Sequence, residues 1–269
     1  MKTISFLIIA FFSILTCNSQ TAEEYYNRGV DKAKIKDYKG SIEELVKALK
    51  IDPKKITAYF NRGIAKANLS DNIGAILDFS IVIDNVPTFK LTYGFRANCK
   101  IELQDYRGAI EDFNKVIEID PSDSIVYNDR GNAKKYLKDY QGAVLDYSMA
   151  IEINPNDSYA YFNRGLAKFA LQDYRGSISD FSKAIEFDPE DDEYYFRRGN
   201  SKFALSDFIG AIPDFDKAIE LNRKQRTSYF LRGLSKIFTK QKESGCLDLS
   251  KAGELGYEEA YNAIKKNCQ

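Results

Sequence analysis

The chain has 269 residues, with 39 Lys+Arg against 39 Asp+Glu and 44% hydrophobic residues, enough apolar content for a buried interior and no net field to draw nucleic acid or an anionic membrane. It contains no histidine and no tryptophan, so the usual general base near neutral pH and the commonest metal ligand are missing. Most catalytic constellations are excluded with them, and no cofactor is expected.

In chain order, residues 1–19 read as a signal peptide. Met1 and Lys2 form a short cationic start, and Ile4 to Leu15 is an apolar run broken only by Ser5 and Ser13. Such a run is too short for a spanning helix, which needs roughly 20 apolar residues, but it suits export. Two cleavage readings stand side by side. Cys17-Asn18-Ser19 has the small-x-small pattern of signal peptidase sites, whereas Ile14-Leu15-Thr16-Cys17 resembles a bacterial lipobox, which would remove residues 1–16 and leave Cys17 lipidated.

From Ala22 onward the chain repeats every 34 residues, a period that belongs to stacked helical units. Seven units follow: 22–55, 56–89, 90–123, 124–157, 158–191, 192–225 and 226–259. Each carries a tyrosine (Tyr25, Tyr59, Tyr93, Tyr127, Tyr161, Tyr195, Tyr229) and, three places on, an arginine (Arg28, Arg62, Arg96, Arg130, Arg164, Arg198, Arg232). A glycine or alanine follows the arginine and a lysine comes three places later, offsets that mark one helical face. Asp37, Asp71, Asp105, Asp139, Asp173 and Asp207 stand where a second helix needs an N-cap. That helix carries small, bulky and small residues at spacings of four and three, as in Ala143, Tyr147 and Ala150, before meeting Pro53, Pro87, Pro121, Pro155 or Pro189. Proline lacks a donor and discourages continuation.

Tyr, Gly, small, aromatic, Ala and Pro at these intervals resemble the tetratricopeptide repeat. The resemblance implies an all-α protein, a right-handed α-solenoid of seven helix-turn-helix units with a C-terminal capping helix. One departure recurs: Arg and Lys occupy first-helix positions where the family commonly has leucine and an aromatic. The packing logic expected is close approach, with Gly131 or Gly165 facing Ala143 or Ser177 on the partner helix.

Unit seven loses the pattern at Gly245, Gly253 and Gly256, and residues 257–268 form an amphipathic stripe of Tyr257, Ala260, Tyr261, Ile264 and Cys268, expected as the capping helix. Cys246 and Cys268 should lie close if the last two helices are antiparallel, which in an oxidising compartment makes them a disulfide candidate. Cys99 stands in the small-residue column and is expected to be buried. Pro213, six places past Asp207, predicts a kink or a late start in its helix.

Two candidate sites emerge. The arginine and lysine columns face Glu44, Asp78, Asp112, Asp146, Asp180, Asp214 and Asp248 on the partner helices, which reads as a structural charged ladder, the alternative being an anion-binding strip. The second site follows from the resemblance, since the concave face of the family, built from first helices, usually holds peptides. Mapped here, that groove carries Phe60, Phe162, Phe169, Phe196, Phe203, Phe230 and Phe238 among Asn128, Asn132, Asn163 and Asn200. Aromatics supply contact area and asparagines can bond an extended backbone, while several of the phenylalanines could equally fill gaps between repeats. Asn132, Asn163 and Arg197 match places at which some family members grip a C-terminal carboxylate, but Asn128 and Glu193 stand where lysines are needed, so an apolar or mixed peptide is the better expectation.

The function expected is a non-catalytic scaffold binding a protein or peptide, exported to the periplasm, the outer membrane or the outside of a bacterial cell. The membrane would be met only through a lipid on Cys17, and nucleic acid is not a partner. The alternative is a glycan or cell-wall binder using exposed Tyr and Phe. No Gly-rich phosphate loop, metal-spaced cysteine cluster or nucleophile elbow favours an enzyme.

Overall fold

The computed structural model describes residues 21–268, and every element among them is an α-helix. The signal segment and Cys17 lie outside the described residues. First and second helices alternate as α1 (Ala22–Lys34) and α2 (Tyr38–Ile51), α3 (Ile56–Asn68) and α4 (Asn72–Asn85), α5 (Lys90–Glu102) and α6 (Tyr106–Ile119), α7 (Ser124–Tyr136) and α8 (Tyr140–Ile153). They continue as α9 (Ser158–Ala170) and α10 (Tyr174–Phe187), α11 (Asp192–Ala204) and α12 (Phe208–Leu221), α13 (Arg226–Phe238) and α14 (Lys242–Glu254), and end in α15 (Glu259–Asn267). The fold is an all-α solenoid of tandem repeats. The helices form two compact bodies, an N-terminal one ending at Gly108 and a C-terminal one beginning at Ala109.

The turn inside the first six repeats has one construction, and the seventh keeps its backbone bonds but has Gln241, without a side-chain cap bond, in place of the Asp. In the fifth repeat Gln172 takes a left-handed φ of 63°, its N–H donates to Phe169 O at 2.9 Å, and the N–H of Asp173 donates to Lys168 O at 2.9 Å. These two bonds close a Schellman ending. Asp173 at once becomes the N-cap of α10, accepting from Gly176 N at 2.9 Å. A Cβ on Gly176 would stand 2.1 Å from the Asp173 carboxylate, so the cap and the glycine require each other. Lys36, Ser70, Gln104, Lys138, Ser206 and Lys240 occupy the same left-handed position, where glycine is the usual residue.

Gly131 and Gly165 meet aromatic rings first rather than the small residues expected opposite them, whereas in the seventh repeat Gly233 does face the small Gly245. A Cβ on Gly165 would lie 2.7 Å from the Phe181 ring, and one on Gly131 would lie 2.7 Å from the Tyr147 ring. The small residue of the second helix turns instead to the next repeat: Ser177 Oγ donates to Ser201 Oγ at 2.9 Å, and Ala143 and Ala167 share a cluster with Tyr147. An aromatic ring is thick enough to need the space the glycine leaves, whereas two small residues let backbones of adjacent repeats approach.

The charged columns form a repeated lattice. In the fifth repeat Arg164 donates to both Asp180 oxygens at 3.0 and 2.7 Å, and Nη1 reaches back to Ser148 Oγ at 3.1 Å. Lys168 Nζ adds a contact to Asp180 at 2.8 Å. The same acid holds the same two cations at Asp78 with Arg62 and Lys66, Asp146 with Arg130 and Lys134, Asp214 with Arg198 and Lys202, and Asp248 with Arg232 and Lys236. The backward arm recurs as Arg96 to Ser80, Arg130 to Asn114, Arg198 to Ser182 and Arg232 to Asp216. Arg28 meets Glu44 at 2.9 Å. Each arginine also lies over the tyrosine three places before it, Arg164 at 5.5 Å from the Tyr161 ring centre, adding a cation–π contact. One guanidinium thus ties together its own helix, its partner and the preceding second helix.

Pro213 lies within α12 and does not delay it, since Asp207 still caps Gly210 at 2.9 Å. The carbonyl deprived of a donor is that of Ile209, a residue 75% exposed, so water can satisfy it. At the end, Cys246 and Cys268 are joined with Cα atoms 5.9 Å apart, fastening α15 to α14. α15 begins after Tyr257, because Gly256 at φ 87° and the Tyr257 N–H to Ala252 O bond of 2.9 Å close α14 first. Tyr261, expected to face the stack, is 58% exposed while its ring still passes over Gly253.

Candidate functional site

The residues assigned to a groove divide between the two bodies. In the N-terminal body Phe60 packs on Phe79, Phe89 and Phe95 at centroid distances of 6.1, 5.0 and 5.7 Å. Beside this cluster a cleft of about 320 Å³ is lined by Ile64, Asn68, Phe95, Asn98, Cys99 and Glu102. Gly94 leaves open space where the other repeats carry a larger side chain. Cys99 is a buried free cysteine whose thiol is pushed up to about 11 by burial and by Glu102, so it carries no reactive thiolate.

In the C-terminal body the first helices lie side by side, α7 by α9, α9 by α11 and α11 by α13. Phe196 is only 8% exposed and belongs to the core with Phe215, Ala211 and Ala218, which removes it from the groove. Its column position brings it to the junction of two repeats, where packing outbids exposure. Phe162 leans on Phe181 and Tyr194 at 5.8 and 4.9 Å, and Phe230 on Tyr257 at 4.7 Å. Phe169 meets Tyr174 edge-on at 5.2 Å. Phe203, Phe208 and Phe238 form a triangle with centroid separations of 5.1, 6.3 and 4.6 Å, and Phe238 remains 53% exposed. Asn200 is half-buried. Arg197 is engaged by Glu193 at 2.7 Å, so it is not poised for a terminal carboxylate.

The asparagines of α7 and α9 do come together. Asn163 Nδ2 donates to Asn128 Oδ1 at 3.3 Å and Asn163 Oδ1 accepts from Lys135 Nζ at 3.4 Å. Tyr147 OH donates to Asn132 Oδ1 at 2.9 Å. At 100° per residue, Asn128, Asp129, Asn132, Lys135 and Tyr136 fall within about a third of the helix circumference. Sequence reading passed over Asp129 and Lys135. The available signal was the column itself, which reads Asn27, Asn61, Phe95, Asp129, Asn163, Arg197 and Leu231 and so holds one acid.

Asp129 is half-buried and forms no hydrogen bond or ion pair among the described residues. Burial first, and the Asp123 carboxylate second, push it up from its ordinary value of 3.8 to about 6. Burial likewise holds the Lys135 ammonium below its ordinary value. A carboxylate raised in the folded state stabilises the fold only while protonated, so stability is lost as pH climbs from 3.8 through about 6. Asp129→Asn is therefore expected to stabilise the protein by about 1–2 kcal/mol at pH 7.5 after allowance for solvent screening, and by nothing at pH 3.5. Urea midpoints at the two pH values check this, and an equal difference at both would contradict it.

Among the described residues no group of three or more His, Cys, Asp or Glu side chains could hold a metal ion, and no helix is long and apolar enough to cross a membrane. Comparison with known families matches the tetratricopeptide repeat over residues 92–123, 158–191 and 192–225, and a second model described as TPR repeat over 33–70 and 131–172. The chain belongs to the tetratricopeptide repeat family. Among solved structures, a tetratricopeptide repeat protein from Parabacteroides merdae is 22% identical, with a TM-score of 0.66 over 92% of this chain and 99% of its own. The C-terminal part of a TPR repeat-containing protein from Cytophaga hutchinsonii is 16% identical, with a TM-score of 0.77 over 89% of this chain and 99% of its own. YrrB, described as a TPR protein with an unusual peptide-binding site, is 18% identical, with a TM-score of 0.63 over 70% of this chain and 97% of its own. These likenesses concern the tetratricopeptide fold. No curated protein matches the chain.

Proposed function

We propose that this tetratricopeptide protein is a non-catalytic scaffold that holds a peptide segment of another protein against the first helices of its C-terminal body. The observation that carries the reading is the strip on α7 and α9, where hydrogen-bonding groups are gathered but not exhausted. The Asn132 amide NH2 and the Asp129 carboxylate have no hydrogen-bond partner among the described residues, and the Lys135 ammonium has one hydrogen bond, to Asn163, besides its 6.0 Å contact with the Tyr136 ring. An extended backbone offers alternating donors and acceptors to such a surface, and half-buried Phe162 on α9, with Phe203 on α11 and exposed Phe238 on α13 further along the first helices, supplies apolar contact area. The peptide-binding site described for YrrB, on the same fold, supports the reading. Export to the cell envelope, soluble or anchored through Cys17, is part of the proposal and rests on residues 1–19 alone.

A photo-crosslinking residue at Asn200, compared with one at Leu145, which is 68% exposed on α8, tests it in the native cell. Discrete protein adducts are expected from position 200 and not from 145. Adducts at neither position, or the same adducts at both, would reject the binding face.

A further inference from the structure

The strip carries one carboxylate, Asp129, and one ammonium, Lys135, and the two are not paired with each other. Its amides are engaged in part: Asn163 bonds Asn128 and Lys135, and Asn132 accepts from Tyr147 through Oδ1 only. Asp129 makes no hydrogen bond or ion pair among the described residues, whereas each of Asp78, Asp146, Asp180, Asp214 and Asp248 in the buried ladder is met by two cations. The contrast separates a carboxylate that serves folding from one that does not. A half-buried charge without a partner works against the fold, and charges placed in that way concentrate at sites where a ligand supplies the missing partner. Lys135 does not supply it. That ammonium is turned to Asn163 on α9, roughly 120° around α7 from Asp129.

Resting on the peptide-binding reading above, we propose that Asp129 makes this site selective for an extended segment bearing a lysine or arginine, whose cationic group pairs with the Asp129 carboxylate while Asn132 and Lys135 hold neighbouring backbone carbonyls. The raised position of the Asp129 carboxyl, about 6 in the free protein, agrees with a group waiting for a cation. Asp123, the nearby Tyr136 and Tyr147, and Lys135 offer it none.

The test presents the full chain to an array of random hexapeptides, acetylated and amidated so that their termini carry no charge. Wild type is expected to retain Lys- and Arg-containing peptides about tenfold more strongly than their Gln counterparts, the ratio that 1.4 kcal/mol of selectivity produces. Asp129→Asn keeps the shape of the side chain and is expected to retain peptides with that preference gone. Asp129→Lys should turn it toward Asp and Glu. Peptides bound by wild type without basic preference, with acidic preference, or with a basic preference that survives Asp129→Asn, overturn the selectivity while leaving the peptide site standing. No peptide retained by wild type overturns both.

Discussion

Asp180→Ala is expected to destabilise the protein by about 3–5 kcal/mol, the loss that follows when one partner of a buried charge group is removed. The Asp180 side chain is 3% exposed and accepts two bonds from Arg164 and one contact from Lys168, whose side chains are 18% and 21% exposed. Without the carboxylate, two cations stay in a half-buried space with Tyr161 and Ser148 as their remaining company. Because Arg164 also reaches Ser148 of the preceding second helix, the damage should extend across α8, α9 and α10. Urea denaturation gives the magnitude and amide exchange its location. A midpoint equivalent to less than about 0.5 kcal/mol of change, the ordinary range for a surface substitution, would mean that the ladder is incidental. Removing all three charges together, as Asp180→Leu with Arg164→Leu and Lys168→Met, should recover much of the loss, since an apolar group of similar volume replaces a buried ion cluster at little cost.

Gly165→Leu is expected to cost about 3 kcal/mol or more by overpacking. The first added carbon already meets Phe181 at 2.7 Å from Cε1 and 3.0 Å from Cδ1. Phe181 has no exposed area and is pressed from another side by Phe162, so the ring has nowhere to turn. Three further carbons then compete for the same interior. Gly165→Ala, which adds one carbon, should fall about 1 kcal/mol below wild type. Thermal melting and limited proteolysis between α9 and α10 measure both variants, and a leucine variant as stable as wild type would show that the helices are not in contact here.

These two variants lie on features of different legibility. The charged columns are visible as a period of 34 in arginine and acid, and so is the cap at the second helix of the first six repeats, because Asp at the turn followed by Gly three places on is a local chemical requirement: the carboxylate fills the volume a side chain on Gly176 would take. The Schellman turns are less legible. Their left-handed residues are Lys36, Ser70, Gln104, Lys138, Gln172, Ser206 and Lys240, none of which announces that conformation, because two backbone bonds and the following cap hold it against its intrinsic preference.

By itself the sequence determined that helical hairpins recur, where each begins and stops, and which arginines and acids share a face, since all of these follow from bonds between residues close in the chain or from a strict repeat. Only the tertiary structure decided that Gly131 and Gly165 face rings while Ser177 faces the next repeat, that Phe196 is core and Phe238 is surface, and that Asp129 stands without a cation among the described residues. The physical reason is that burial and pairing depend on what a neighbouring repeat places opposite a side chain, and residues in equivalent columns meet different neighbours once the repeats have diverged.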